Sequence, residues 1–405
     1  MKKTLAAVAV LGAFAGSALA ADVTLYGKVD LGLQYVNSNS DQIVGNAEGG
    51  YDIENIKSDK MAVKSGGNSG SRWGMKGSEQ ISEGLTVGFQ LEGGFNADDG
   101  KQAQNGGVFS RESRLYVQTD FGELAFGRMG GLESGSGSYD IISKGFAMST
   151  GWGDSIGKTG NIFLGQSDRF DNMITYKSPT FAGVTVYAQA SLQKTSNTKE
   201  VEGSSDTDRY YALGATGNWG ALSSALTFST TDYSRTWVND VENNGAGTKA
   251  EGREDMSKVV TGYVAYDFGM VKPMLSAQYF DDVKGVSWDM SDGLEDTLGE
   301  TLGNYSKKGY GVMLGATAPL AGGTAYAMVG YNDFEATEDL QMFGAKAEFD
   351  TINFGIGYQY PLSKRTYVYT AAGYTKLSGE FKADGEKDDL GTKTTEVVAG
   401  IVHNF

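Results

Sequence analysis

The chain has 405 residues, no cysteine and a formal net charge of −16. Absent thiols exclude a thiolate metal site and a Cys nucleophile, and the acidic balance excludes the basic face that nucleic-acid binding needs. Gly numbers 59 and Pro 4, but Tyr (22) and Phe (19) together make 41, a strand-like mixture that low-complexity disorder, poor in aromatics, does not show.

At the N-terminus, Lys2 and Lys3 precede a short apolar run from Leu5 to Ala15, and Ala18-Leu19-Ala20 follows as a small-x-small pattern. This predicts a secretory signal peptide, cleaved after Ala20. The run is shorter than the ~20 residues of a membrane helix, and no later stretch approaches that length. The mature chain is then a single domain, 21–405, of 385 residues (405 minus 20), with a charge near −18 once the two lysines of 1–20 are removed.

From there a period of two dominates. Val23, Leu25, Val29, Leu31, Leu33 and Tyr35 fall on one face of an extended segment, and Thr24, Tyr26, Lys28, Asp30 and Gln34 on the other. The split recurs at Leu85, Val87, Phe89 and Leu91, at Val271, Leu275 and Tyr279, at Tyr310, Val312 and Leu314, and at Ile352, Phe354, Ile356 and Tyr358. Such segments are strands with one apolar and one polar side. In 323–334 and 364–377 apolar residues occupy both parities, and the sequence does not assign their faces.

Seven tight turns are expected around 80–83, 120–122, 178–182, 217–220, 267–270, 319–322 and 361–364. Eight longer polar loops alternate with them, near 37–69, 96–108, 130–170, 195–206, 234–255, 284–305, 335–350 and 378–392. The result is an all-β fold, a transmembrane antiparallel barrel of sixteen strands with short periplasmic turns and long extracellular loops. In hydrocarbon only a closed barrel pairs every strand amide. Sixteen strands enclose a space too wide for side chains to fill, so the lumen is wet.

Several segments resemble the Gram-negative general porin family, in particular its neisserial and β-proteobacterial branch. They are Asp22-Val-Thr-Leu-Tyr-Gly27, Ser71-Arg-Trp-Gly-Met-Lys-Gly-Ser-Glu79, Arg111 to Arg128, Asn172-Met-Ile-Thr-Tyr-Lys-Ser-Pro179 with Phe181-Ala-Gly183, Leu362-Ser-Lys-Arg-Thr366 and Gly400-Ile-Val-His-Asn-Phe405. Their order spans the mature chain. The resemblance implies passive diffusion of small hydrophilic solutes through a homotrimer. It also implies a third loop, here 130–170, folded inward to narrow the pore. For Phe405 it implies recognition by the barrel-assembly machinery.

A channel filters by size and by charge at its narrowest point. Parity places Arg72, Lys76 and Arg114 toward the lumen. Arg128 shares the parity of Leu124 and Phe126, but a bulge at Gly127 would turn it inward, the resemblance implies the same, and it is expected in the constriction wall. Arg169 stands where the third loop re-enters the wall. Glu133, Asp140, Asp154 and Asp168 are the acidic candidates on that loop. Asp281, Asp282, Asp289, Asp292, Glu295 and Asp296 crowd the sixth loop, as a hydrated surface or as sites for divalent bridges to lipopolysaccharide phosphates. No segment has the order of a calcium loop, and no cofactor or metal site is expected. The lone His403 sits on the outward face of the last strand without a nucleophile beside it, which argues against an outer-membrane phospholipase. A solute-specific porin would need an aromatic or basic track, for which Tyr26, Tyr116 and Tyr187 are too scattered. A non-conducting, adhesin-like barrel would need a plugged lumen. The net charge favours cations at the mouth and the Arg cluster favours anions at the constriction; of the two, cation preference is the expectation.

Overall fold

The structure is a computed structural model that describes residues 23–45, 51–103, 107–149, 151–165, 168–194, 202, 207–233, 237–238, 248–249, 255–284, 306–336, 346–383 and 386–405. The expected signal peptide and most of the expected fourth, fifth, sixth and seventh loops, with Asp289, Asp292, Glu295 and Asp296, lie outside these residues. In chain order the strands are β1 (Thr24–Gly45), β2 (Tyr51–Ser65), β3 (Arg72–Ser82), β4 (Leu85–Gly94), β5 (Glu112–Thr119), β6 (Gly122–Gly130), β7 (Arg169–Lys177), β8 (Val184–Ser191), β9 (Arg209–Trp219) and β10 (Leu222–Asp232). They continue with β11 (Trp237–Val238), β12 (Thr248–Lys249), β13 (Lys258–Tyr266), β14 (Lys272–Val283), β15 (Lys307–Leu320), β16 (Gly323–Ala336), β17 (Lys346–Pro361), β18 (Thr366–Ala383) and β19 (Glu386–Asn404).

Seventeen of these strands form one sheet, and β11 with β12 forms a separate two-stranded ladder. β2 pairs with β1 from Leu31↔Ser65 to Gly45↔Tyr51, as the returning arm of a hairpin. The other sixteen make the wall. β1 meets β3 from Thr24↔Lys76 to Lys28↔Arg72 and meets β19 from Lys28↔Asn404 to Ser40↔Thr392, which closes the barrel. All pairings are antiparallel.

Two expected loops are mostly strand. The segment 37–69 holds the top of β1 and all of β2, and 378–392 holds the ends of β18 and β19. Hydrophobic alternation marks only the part of a strand that has lipid on one side. Above that level both faces are wet, and the ladder continues without an apolar signal.

The faces follow the expected parity. On β1, Leu33 is 55% exposed and Gln34 only 3%. Leu115, Leu213, Leu226, Leu314 and Ile356 form an exposed apolar band. Phe121, Phe181, Trp219, Phe268 and Phe405 ring the short-turn end, and Tyr35, Tyr279, Tyr310 and Tyr331 ring the other. An apolar belt between two aromatic girdles is the outside of a membrane barrel. Tight turns use residues free to enter the left-handed region, such as Gly220 with φ 62°.

The two segments without a legible face also resolve. β16 turns Met328, Gly330, Asn332 and Phe334 inward, and β18 turns Tyr369, Ala371, Thr375 and Leu377 inward. Met328, Gly330, Tyr369 and Ala371 lie under protein, not water, whereas Phe334 stacks on Phe349. The cover is the segment 131–168, which runs inside the barrel with two single-turn 3-10 helices, Ser143–Gly145 and Thr159–Asn161.

Candidate pore constriction

The inward segment packs by hydrophobic burial. Leu132, Ile142, Ile156, Ile162 and Phe163 are at most 1% exposed, each worth ~1.5–3 kcal/mol relative to exposure. The wall makes room with glycines. A Cβ at Gly214 would overlap Leu132 and Ile141, one at Gly330 would overlap Ile162, one at Gly357 would overlap Trp152, and one at Gly373 would crowd Ile156. Trp152 also packs on Tyr326 and Tyr369, with ring centroids 5.1 and 5.9 Å away. The loop therefore covers the inner wall from β9 round to β19 and leaves the arc of β1, β3, β4 and β5 open.

That arc is charged. Register places Lys28 beside Arg72, Lys76 beside Gln90, Gln90 beside Arg114 and Glu92 beside Glu112. Arg72 donates from Nη2 to Ser69 Oγ at 2.8 Å, and its Nη1 lies 3.9 Å from Glu92. Arg111 Nε donates to the same carboxylate at 2.6 Å. Lys28 Nζ donates to Ser69 Oγ at 3.2 Å, and Lys76 Nζ stands 5.4 Å from the Tyr26 ring centroid. Arg114 lies between the rings of Tyr116 and Tyr139, 4.9 Å from each centroid. It donates to Tyr139 Oη at 2.6 Å and to Gln90 at 3.0 Å, with Glu123 3.5 Å away. Arg169 closes the arc, donating to Ser136 Oγ of the loop at 2.6 Å.

The structure thus gathers Arg72, Lys76, Arg114 and Arg169. Arg128 is a correction. It pairs with Ser113, on the outward parity of β5, while its neighbours Ala125 and Met129 are fully buried on the inner side. The irregularity that was expected at Gly127 adds its extra residue on β7 instead, where Asn172 has φ 52°. The alternation of β6 is never reset, and Arg128 is tied on the outer side to Asp171 at 2.6 Å and to the Ser110 carbonyl.

Two of the four acidic candidates are also corrections. Glu133 is 1% exposed and accepts from the Thr227 and Ser229 hydroxyls of β10. Burial pushes its carboxyl up to about 7. Asp140 caps the loop's own backbone, accepting from Gly135, Ile142 and Ser143 N–H groups. Both are loop anchors turned from the pore, a choice that spacing in a Gly-rich loop does not encode. Asp154 is part-exposed and bonds Lys64 and Gln34. Burial would raise it, but Lys64 and Gln34 outweigh burial and hold it below the usual carboxylate range. Asp168 is exposed at the loop base, 3.5 Å from Arg169. The sequence reading missed Lys28, Lys64, Arg111, Glu92, Glu112 and Tyr139. Parity did mark Lys28 as a polar-face residue; only the fold shows what it faces.

A closed sixteen-stranded barrel with a lipid-facing belt and a charged interior is a transmembrane channel. A family model described as Gram-negative porin matches residues 6–380, and the chain belongs to that family. It is 30% identical over 429 aligned positions to an outer membrane porin protein of Bordetella pertussis, covering all of both chains. It is 28% identical to outer membrane porin protein 32 of Delftia acidovorans, covering 99% of this chain and 95% of the relative. Among solved structures it is similar to an anion-selective porin from Comamonas acidovorans, with a TM-score of 0.59, 23% identity, and coverage of 95% of this chain and 100% of that one. The protein is an outer-membrane porin, a channel for passive diffusion.

Proposed function

We propose that the chain is a general diffusion porin whose selectivity is set between the open arc and the segment 131–168, and that it prefers small anions. The carrying observation is the charge facing the opening. Lys28, Arg72, Lys76, Arg111, Arg114 and Arg169 stand against Asp30, Glu92, Glu112, Glu123 and Asp168, so six cations meet five carboxylates. Glu133 and Asp140 do not offset them, and Asp154 is matched by Lys64. At a screening length of ~8 Å the local excess outweighs acidic loops at the mouth. This reverses the preference drawn from net charge.

Tyr116, Tyr187, Tyr326 and Tyr367 face inward but pack against the buried cluster that the loop and wall form together, which favours a general porin over a solute-specific track. Family membership supports a homotrimer, and Phe405 supports handling by the barrel-assembly machinery. The outward carboxylates Asp333 and Glu335 of β16 suit a lipopolysaccharide headgroup layer carrying divalent cations. The test of function is ion selectivity in a planar bilayer, taken up below. Cross-linking of the detergent-extracted protein tests the trimer, and a ladder that stops at the monomer would refute it.

A further inference from the structure

The constricting segment is held to the wall mainly by apolar contacts, which are non-directional. Polar ties at Glu133, Gly145 and Gly165 add to them, but at the far end several bonds converge on one wall residue. Glu396 of β19 is 0% exposed. Its carboxylate accepts from Gln34 Nε2 at 2.6 Å, from Asp154 N–H at 2.9 Å, from Ser155 N–H at 2.7 Å and from the Ser155 hydroxyl at 2.7 Å. Three of the four donors belong to the loop. The Ser155 carbonyl in turn accepts from Asn353 Nδ2 at 2.9 Å and from Thr375 at 3.3 Å. Gly153 has φ 63°, and a Cβ there would overlap the Glu396 carboxylate. Its N–H donates to the Gly67 carbonyl at 2.7 Å. Asp154 reaches across to Lys64 of the β2 arm.

Donors from β1, β17, β18 and the loop therefore converge where β19 meets β1. A carboxylate receiving backbone N–H groups makes short, directional, charge-assisted bonds, which fix position where greasy contacts fix only proximity. We infer that Glu396 is the positioning residue of the constriction: it sets where the loop end at Gly153–Ser155 stands, and so the open area and steadiness of the pore, without facing the permeating solute. This rests on the reading that the segment 131–168 narrows the channel. Losing the acceptor strands two buried N–H groups, and the loop end leaves the wall to hydrate them.

The experiment is single-channel recording with Glu396→Ala, Glu396→Gln and Gly153→Ala beside wild type, each checked for a heat-modifiable barrel on gels. Glu396→Ala is expected to raise open-channel current noise several-fold, lower the voltage at which closures begin and admit larger sugars in liposome swelling. Glu396→Gln, which keeps one acceptor oxygen, should fall between. Gly153→Ala acts from the loop side, leaves every strand unchanged and should reproduce the Ala phenotype even if Glu396→Ala fails to fold. Folded variants with wild-type noise, closing voltage and size limit would overturn the inference. A wild-type protein that gives no steps at all would instead defeat the channel reading on which it rests.

Discussion

Arg114 on β5 and Tyr139 on the inward loop are joined by a 2.6 Å hydrogen bond, and the guanidinium lies 4.9 Å from that ring's centroid. The wall and the inward loop thus share one charged group. An arginine stacked and bonded this way is held as a fixed positive charge, which lysine would not reproduce. Replacing Arg114 with Gln should shift the zero-current potential in a KCl gradient toward the cation side and raise conductance, since Tyr139 loses its partner. Arg128→Gln, on the outer wall, should leave the potential unchanged. Equal shifts from both substitutions would refute the assignment of faces.

Glu133 predicts a pH dependence of loop docking. Its carboxyl is raised by burial from the usual 4.5 to about 7, so the folded state favours the neutral acid. That stabilisation is fully present below pH 4.5 and is lost as pH rises through 7. The span corresponds to ~3 kcal/mol at most. Loop protection measured by hydrogen exchange should be greater at pH 5 than at pH 8, and Glu133→Gln should flatten the difference. A wild-type profile that rises with pH would have the wrong sign.

The glycines under the loop predict a steric effect. Gly357 touches the Trp152 indole. Gly357→Leu should push Trp152 and its loop toward the axis and lower single-channel conductance, whereas Gly269→Ala, in a turn with open space around it, should not. Unchanged conductance in a folded Gly357→Leu protein would show that the loop does not bound the opening.

Phe405 lies against Gly27, and the two residues exchange backbone hydrogen bonds of 3.1 and 3.0 Å. Phe405→Ala should lower the yield of folded barrel in cells more than refolding of purified protein in detergent. Gly27→Val, which clashes with the ring, should impair both. If Phe405→Ala impairs both equally, the ring acts by packing and not as an assembly signal.

Much of the wall was legible because lipid imposes a period of two, as Leu33 and Gln34 show. Parity also placed Arg72, Lys76 and Arg114 on the inner side, where the structure finds them. It failed where a second protein layer replaces water, at Met328 and Tyr369, whose apolar side chains face the lumen side because the loop covers them. It also failed where both strand faces are wet, so the hairpin of β1 and β2 read as a loop. The loop carboxylates were not legible at all: Glu133 and Asp154 have similar sequence surroundings, and only their partners, Thr227 and Lys64, separate an anchor from an exposed charge. Arg128 illustrates a further limit, since the extra residue that decides its side lies on the neighbouring strand, 44 positions along at Asn172.

The most direct test of the channel and its selectivity is the zero-current potential of single trimers or monomers in a planar bilayer under a tenfold KCl gradient, for wild type and for the Arg72→Gln, Arg114→Gln pair combined. We expect stepwise insertion, a wild-type potential of the sign that chloride flux produces, and a shift toward the potassium side in the double variant. A wild-type potential on the potassium side that the double variant leaves unmoved would contradict it.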